Sequence, residues 1–465
     1  MLTQLLIFAI KLSHVISWTM SATTSLCKMV FTSIFRYNMQ VKAIAQARQA
    51  FREYAFFKNN AIFWSASLFV SFLNYLYYPV LGRLMNPVSF GETQTIISIF
   101  TQATVFFQVL SLVSIGIINK YPNKETRNKV VNELSRLALI FPLLILLASV
   151  VFSLPLKHFF QFTTAVPFYV LALSLLVCVP LSFANSYLQG HKQFKSLSLS
   201  NILASATKLI LAIILVACGL KTAGAIGGLV GAQIIALIYA VSRGQGLRSF
   251  VRSNLKFHRP DLKLVKPELP YAGMVLITSL TTNLLLSFDI LIVKHYFPPA
   301  QAGLYTGISI ISNIIYYVSG PFAAVMLPSI KQSQARKENY RILRNSLLIT
   351  AAVGGLVMVI FLIAPHLIVL LLLGRKYAVY SVYLRGLSLA LFIMSISNLF
   401  IYYHIGLRHF FVAPVVLVGL LSTIYLLIHS HATMGRVVAD LVIGAGILIV
   451  LLLALMPYYR QKAVI

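Results

Sequence analysis

The sequence predicts an all-α polytopic membrane protein of twelve transmembrane helices arranged as two six-helix lobes. Three observations point there. Of 465 residues, 59% are hydrophobic and only 10% are charged, and the mean hydropathy is +0.87, all outside the range of a soluble domain. Apolar windows of about 20 residues recur along the chain, each long enough as a helix to cross roughly 30 Å of hydrocarbon, and none has the two-residue alternation of a membrane barrel. Finally, one short motif appears at corresponding places in the two halves.

In chain order the spans fall near 60–83, 92–118, 134–156, 165–188, 199–219 and 223–242, then 269–293, 302–327, 346–372, 380–404, 412–428 and 437–459. The expected organisation is a cytoplasmic or interfacial extension (1–59), an N-lobe (60–242), a basic cytoplasmic linker (243–268), a C-lobe (269–459) and a short cytoplasmic tail (460–465). Residues 1–58 lack a basic n-region and a small-residue cleavage site, which argues against a removable signal peptide. Within them Arg48 and Arg52 lie four apart among Phe and Tyr, as in an amphipathic helix on the cytoplasmic leaflet; a solvated basic tail fits as well.

The net charge of +29 raises the question of a nucleic-acid partner. Placement answers it. Of 38 Lys and Arg, 29 fall in segments on one side of the spans. The other nine, Arg83, Lys157, Lys208, Lys221, Lys294, Arg375, Lys376, Arg385 and Arg436, lie on the opposite side or within spans. This is the positive-inside bias: it puts both termini in the cytoplasm and needs no nucleic acid.

Cys27, Cys178 and Cys218 show neither disulfide nor ligand spacing, and the His429-Ala-His431 pair reads as solvated outer loop, so no metal and no cofactor is expected.

The repeated motif sits before the second and eighth spans. In GRLMNPVSFGETQ and KHYFPPAQAGLYT, Pro87 and Gly91 match Pro299 and Gly303 at an offset of 212. In each half P-x-x-x-G ends an outer turn, opens a long span, and is followed by a loop rich in Lys and Arg. Motif, topology and loop together indicate a duplicated six-helix lobe. The stretches FDILIVKHYFPPAQAGLYTGISIISNIIYYVSGPFAAVMLPSI (288–330), YLQGHKQFKSLSLSN (187–201) and VLGRLMNPVSFGE (80–92) resemble the polysaccharide and O-antigen flippases, which belong with the multidrug exporters and the lipid II flippase in one superfamily. Over residues 60–459 the resemblance implies two lobes around a central cavity that opens alternately to each side. It further implies a transporter of an undecaprenyl-pyrophosphate-linked oligosaccharide in a bacterial cytoplasmic membrane, serving O-antigen or lipopolysaccharide synthesis. Its partners would be that substrate, membrane lipids and polysaccharide-assembly proteins.

Moving a pyrophosphate and a glycan across hydrocarbon requires cations and hydrogen-bonding groups in an interior, because a charge facing lipid costs at least about 2.5 kcal/mol. Lys208 is the deepest cation, roughly 13 Å into the fifth span by helical rise. Asn201 and Ser205 share its helix face; a structural lysine that snorkels is the alternative. Arg83, Lys294 and Arg385 lie nearer outer span ends, as substrate cations or as interface anchors. Asp289 aligns with Thr278 and Thr282 on a continuous helix and suits coupling, gating or a static ion pair. Asn74 and Tyr78, Asn313 and Tyr317, Ser312 and Tyr316, and Asn398 and Tyr402 are each four apart. Aromatic faces stack on sugars and amides bond hydroxyls, so these pairs fit a glycan path; helix packing glued by polar groups explains them too. Pro79, Pro180 and Pro321 offer bends within spans.

Two other classes compete. A cation exporter of the same superfamily would use carboxylates, yet Glu53, Glu125, Glu133 and Asp261 read as cytoplasmic and Glu92 as lying at an outer turn. A polyprenyl-dependent glycosyltransferase or polymerase would need paired carboxylates or an extramembrane domain, and the chain has no DxD and only short outer connections.

Overall fold

The computed structural model describes residues 66–120, 151–190, 193–243, 269–330 and 336–462, with helical positions at 144, 147 and 148. They lie in one packed unit, 63–465. The expected extension, its amphipathic helix, most of the third span and the basic linker fall outside the described residues, as does the final stretch of the tail.

Among the described residues the structure is helical, without strands. The first lobe comprises α1 (66–84), α2 (Pro87–Lys120), the short α3 (Ser153–Phe159), α4 (Val166–Gly190), α5 (Phe194–Leu215) and α6 (Lys221–Arg243). The second comprises α7 (Leu269–Leu285), α8 (Phe288–Tyr296), α9 (Pro299–Ser329), α10 (Arg336–Ile363), α11 (Pro365–Leu372), α12 (Tyr383–Gly406), α13 (Val412–His429) and α14 (Met434–Lys462). Among the described residues, six helical stretches are long and apolar enough to cross a membrane, seven if the bent pair α7–α8 counts as one span. The protein is multi-pass.

The boundaries follow local chemistry. Asn86 Oδ1 accepts from the Ser89 N–H at 2.8 Å and Pro87 takes the first helical position, so α2 begins there. Pro299 and Pro365 likewise open α9 and α11, there without a side-chain cap. Between α5 and α6 a single π-turn intervenes, and Gly219 adopts φ +89°, which only glycine reaches without strain. The chain then doubles back, with Gly228 against Ala212.

Two expected spans are broken. The seventh bends by 48° between α7 and α8. At the break Ser287 Oγ bonds the Asn283 carbonyl at 3.0 Å and receives Gln102 Nε2 at 3.2 Å, a side-chain alternative to the helical ladder. The break ends the continuous face that would have aligned Thr278, Thr282 and Asp289. The ninth span is interrupted at Ala364, where Pro365 cannot donate to the preceding turn. Pro79, Pro180 and Pro321, by contrast, lie within continuous helices.

The cores are unequally shared. One cluster draws Tyr77, Leu81, Phe90 and Leu209 from the first lobe and Ile290, Tyr305, Val369, Tyr377 and Leu441 from the second. It lies toward the end that carries Pro87, Pro298 and Gly374. Toward the opposite end the described core clusters belong to single lobes: Leu188, Leu197 and Ala240 in one, Ile330, Leu343 and Val412 in the other.

Candidate functional site

A polar ladder runs along α5. Asn185 of α4 bonds Asn201 Oδ1 at 3.4 Å and accepts from Ser200 at 3.3 Å. Ser205 Oγ donates to the Asn201 carbonyl at 2.9 Å and accepts from Asn74 Nδ2 of α1 at 3.2 Å. Lys208 Nζ completes it, donating to Asn74 Oδ1 at 2.5 Å and lying 4.7 Å from the Tyr77 ring centroid. Tyr77, Leu209 and Ala212 belong to the shared core. Lys208 therefore stands where the ladder meets the joined end of the lobes. The seven-residue and three-residue spacings place Asn201, Ser205 and Lys208 on one helical face, and α1 supplies the amide that holds the ammonium.

The other three candidate cations are not brought together with Lys208. Arg83, at the end of α1, donates Nε to the Leu372 carbonyl at 3.2 Å and a terminal nitrogen to that of Leu371, across the lobes. A guanidinium there meets the exposed carbonyls that close α11. Lys376 of the second lobe reciprocates, bonding the carbonyls of Arg83 and Met85 at 3.1 Å each. Arg385 Nε bonds the Leu362 carbonyl at 3.2 Å within its own lobe. Lys294 is fully buried, its Nζ without a hydrogen-bond partner among the described residues and 5.3 Å from the Phe162 ring centroid of the first lobe.

Asp289 is buried in the second lobe. Its Oδ2 accepts from Tyr305 at 3.0 Å and Ser309 at 2.6 Å. It borders a cavity of about 20 Å³ with Ser309, Thr423 and apolar side chains of α12 and α14, room for a single water. The aromatic and amide candidates divide. Tyr78 and Tyr316 pack on the shared core, Tyr316 and Tyr402 on the second-lobe core. Tyr317 is 55% exposed, its ring centroid 6.1 Å from that of Tyr316. Asn313 and Asn398 are buried, each with a side-chain carbonyl unpaired among the described residues.

Glu92 corrects a sequence expectation. Far from lying at a turn, it sits inside α2, 1% exposed, with Oε1 taking the Thr163 N–H at 2.7 Å and Oε2 the Thr222 hydroxyl at 2.8 Å. The first lobe thus has an interior carboxylate after all. The signal was present: Glu92 directly follows the repeated glycine, where the second copy has Leu304. The cross-lobe contacts of Lys376 and Gln161 were also missed, because their partners are backbone carbonyls of the other lobe, which no side-chain pattern advertises. Among the described residues there is no cluster of three or more metal-ligating side chains. His429 and His431 bond the carbonyls of Tyr425 and Ile428, and Cys178 and Cys218 are free thiols.

With this geometry in place, residues 56–334 match the sequence profile of the polysaccharide biosynthesis proteins. The chain belongs to that family. No curated protein matches it in sequence. Its fold is similar to that of the lipid II flippase MurJ in an inward closed conformation, at 15% identity and a TM-score of 0.65, over 85% of this chain and 87% of that one. It is also similar to an inward-facing multidrug resistance MATE transporter of the MOP superfamily, at 13% identity and 0.68, over 84% and 95%. A third similar structure is the MATE multidrug transporter DinF-BH, at 13% and 0.60, over 87% and 95%. The fold of this family member is therefore the two-lobed MOP fold.

Proposed function

We propose that this protein is a flippase that carries an undecaprenyl-pyrophosphate-linked oligosaccharide from the cytoplasmic to the outer leaflet of a bacterial cytoplasmic membrane, for O-antigen or related lipopolysaccharide assembly. The observation that carries the reading is the unequal sharing of cores: among the described residues the lobes share a core at one end and have separate core clusters toward the other, as one state of an alternating-access carrier would. By the positive-inside bias the joined end is the outer one and both termini are cytoplasmic. The division into an N-lobe at 60–242, a linker at 243–268 and a C-lobe at 269–459, with 1–59 and 460–465 as cytoplasmic ends, belongs to the same proposal.

Lys208 is the cation assigned to the pyrophosphate or to anionic sugars. It ends a hydrogen-bonding ladder that a glycan's hydroxyls can exchange with, and an amide rather than a carboxylate holds it, so its charge is not neutralised. Arg83, Lys294 and Arg385 are engaged in this state and join the site as the outer end opens. Tyr78, Tyr316, Tyr317, Tyr402, Asn74, Asn201 and Asn398 form the glycan path, and Asp289 is the coupling or gating carboxylate. The carrier performs no covalent chemistry on its cargo; polysaccharide-assembly proteins are its expected partners.

An exporter of organic cations is the second reading, and the buried carboxylates Glu92 and Asp289 favour it. Both are occupied by hydroxyl donors, however, and the cavity beside Asp289 is far smaller than an organic cation. The deciding measurement is the leaflet distribution of the lipid-linked oligosaccharide in cells with and without the protein. Accumulation on the cytoplasmic leaflet in its absence supports flipping; an unchanged distribution moves the assignment to export, and an altered glycan to an enzyme.

A further inference from the structure

At the joined end a short second-lobe helix presses into the first lobe. Leu291 of α8 packs on the cluster built from Phe160, Phe162, Phe168 and Leu175, and Lys294 follows one turn later. His295 stacks on Phe159 with ring centroids 3.9 Å apart and its Nδ1 lies 2.7 Å from the Phe159 carbonyl. Gln161, held at φ +51°, donates to the His295 carbonyl at 2.7 Å. The 159–163 turn is thus gripped on both sides, and Lys294 is driven beneath it.

What makes Lys294 unusual is that no described residue hydrogen-bonds its ammonium. An ammonium taken out of water without hydrogen bonds is strongly disfavoured. Two features offset the loss: the face of Phe162 and, beyond direct ion-pair contact, the carboxylate of Glu92, which takes the N–H of Thr163, the residue next to Phe162. Both belong to the first lobe. Glu92 is independently secured by Thr163 and Thr222 and keeps those partners whether or not the second lobe is docked. Lys294 keeps neither feature: it is compensated only while the lobes are joined, and regains water when they part.

We propose that Lys294 and Glu92 form a charge latch, in which a C-lobe ammonium buried without hydrogen bonds is held down by an N-lobe carboxylate, so that this end closes but remains ready to open. Apolar residues at both positions would seal the end more firmly, because buried charges rarely outperform well-packed hydrophobic groups. The latch therefore serves reversibility. It rests on the alternating-access reading above and adds to it the pair that sets the ratio of the two states.

The test is the separation of the two lobes at this end, which needs no substrate. Nitroxides are placed at Leu220→Cys and Val379→Cys, both exposed positions, in full-length protein whose Cys27, Cys178 and Cys218 are replaced by Ser, and their distance distribution is read by pulsed electron resonance in lipid nanodiscs. Glu92→Gln, which leaves the ammonium uncompensated, is expected to raise the ratio of separated to joined species on the order of tenfold or more. Lys294→Met, which removes the buried charge, is expected to lower it. In the Lys294→Met background Glu92→Gln is expected to change little. An equal effect of Glu92→Gln in both backgrounds would mean that it acts through Thr163 and Thr222, and would overturn the latch. Two resolved distances whose ratio no variant moves overturn the latch and leave alternating access standing; a single distance in every variant overturns both. If Glu92→Gln does not fold, Lys294→Met carries the test alone, and a ratio that rises or stays unchanged overturns the proposal.

Discussion

Gly91 and Gly303, equivalent positions of the repeated motif 212 residues apart, lie against each other where α2 crosses α9: a Cβ on Gly91 would stand 2.9 Å from the Gly303 Cα. A Cβ on Gly303 would collide with the Pro87 carbonyl, part of the first copy of the same motif. The two copies thus touch each other at the joined end. Their glycines are what allow two long helices, one from each lobe, to meet at backbone contact.

Gly303→Ala is accordingly expected to wedge the lobes apart. The obstacle is backbone, which cannot rotate away as a side chain would, so the cost should reach about 1–3 kcal/mol in the joined state. Thermal unfolding of the purified variant should fall by several degrees, while Gly446→Ala, with open space around its Cβ position, should unfold like the wild type.

Replacing Lys208 with Ala should abolish transport and leave protein level intact, because the side chain is held by one amide and one ring rather than buried in a core. Asn74→Ala should act in the same direction but less, roughly tenfold, since the ammonium keeps Tyr77. Full transport by Lys208→Ala, measured as leaflet distribution, would remove it from the site.

Asp289→Ala should lower stability by about 1–3 kcal/mol, as Tyr305 and Ser309 lose their shared acceptor. Asp289→Asn retains an acceptor oxygen and should fold nearly normally. If Asp289 couples transport to an ion, Asn should lose the gradient dependence of flipping at wild-type protein levels; unchanged dependence would leave Asp289 with packing alone.

Glu92→Ala should be more damaging than Glu92→Gln. Alanine removes the acceptor of the Thr163 N–H, leaves the Thr222 hydroxyl with the Ser89 carbonyl alone at 3.2 Å, and takes the carboxylate away from the buried Lys294, for a combined cost of about 3–5 kcal/mol. Yield and unfolding temperature in detergent should fall in the order wild type, Gln, Ala.

The site was legible in the sequence to an uneven degree. Lys208, Ser205 and Asn201 were readable together because one helix fixes their spacing. Their partner Asn74 was readable only as half of a four-residue pair with Tyr78, since its bond to Lys208 spans 134 residues. The bends were harder to read: Pro365 gave a sign at the ninth span, whereas Ser287 breaks the seventh through hydrogen bonds to Asn283 and Gln102, which only the packed lobes supply. Glu92 was misplaced because apolar windows locate spans by hydropathy and discount a carboxylate near an end.

By itself the sequence determined that the chain crosses the membrane repeatedly as helices, that its two halves repeat, and which polar residues share a helical face. These follow from local chemistry: apolar length against bilayer thickness, prolines at helix starts, a fixed rise per residue. The tertiary structure alone decided which end of the lobes is joined, that Arg83 and Lys376 close each other's helices, and that Lys294 lies buried within reach of Glu92. Those relationships depend on groups hundreds of residues apart and on backbone carbonyls. They exist only once two lobes have packed, because nothing in a single helix tells a lysine whether water, lipid or another lobe will surround it.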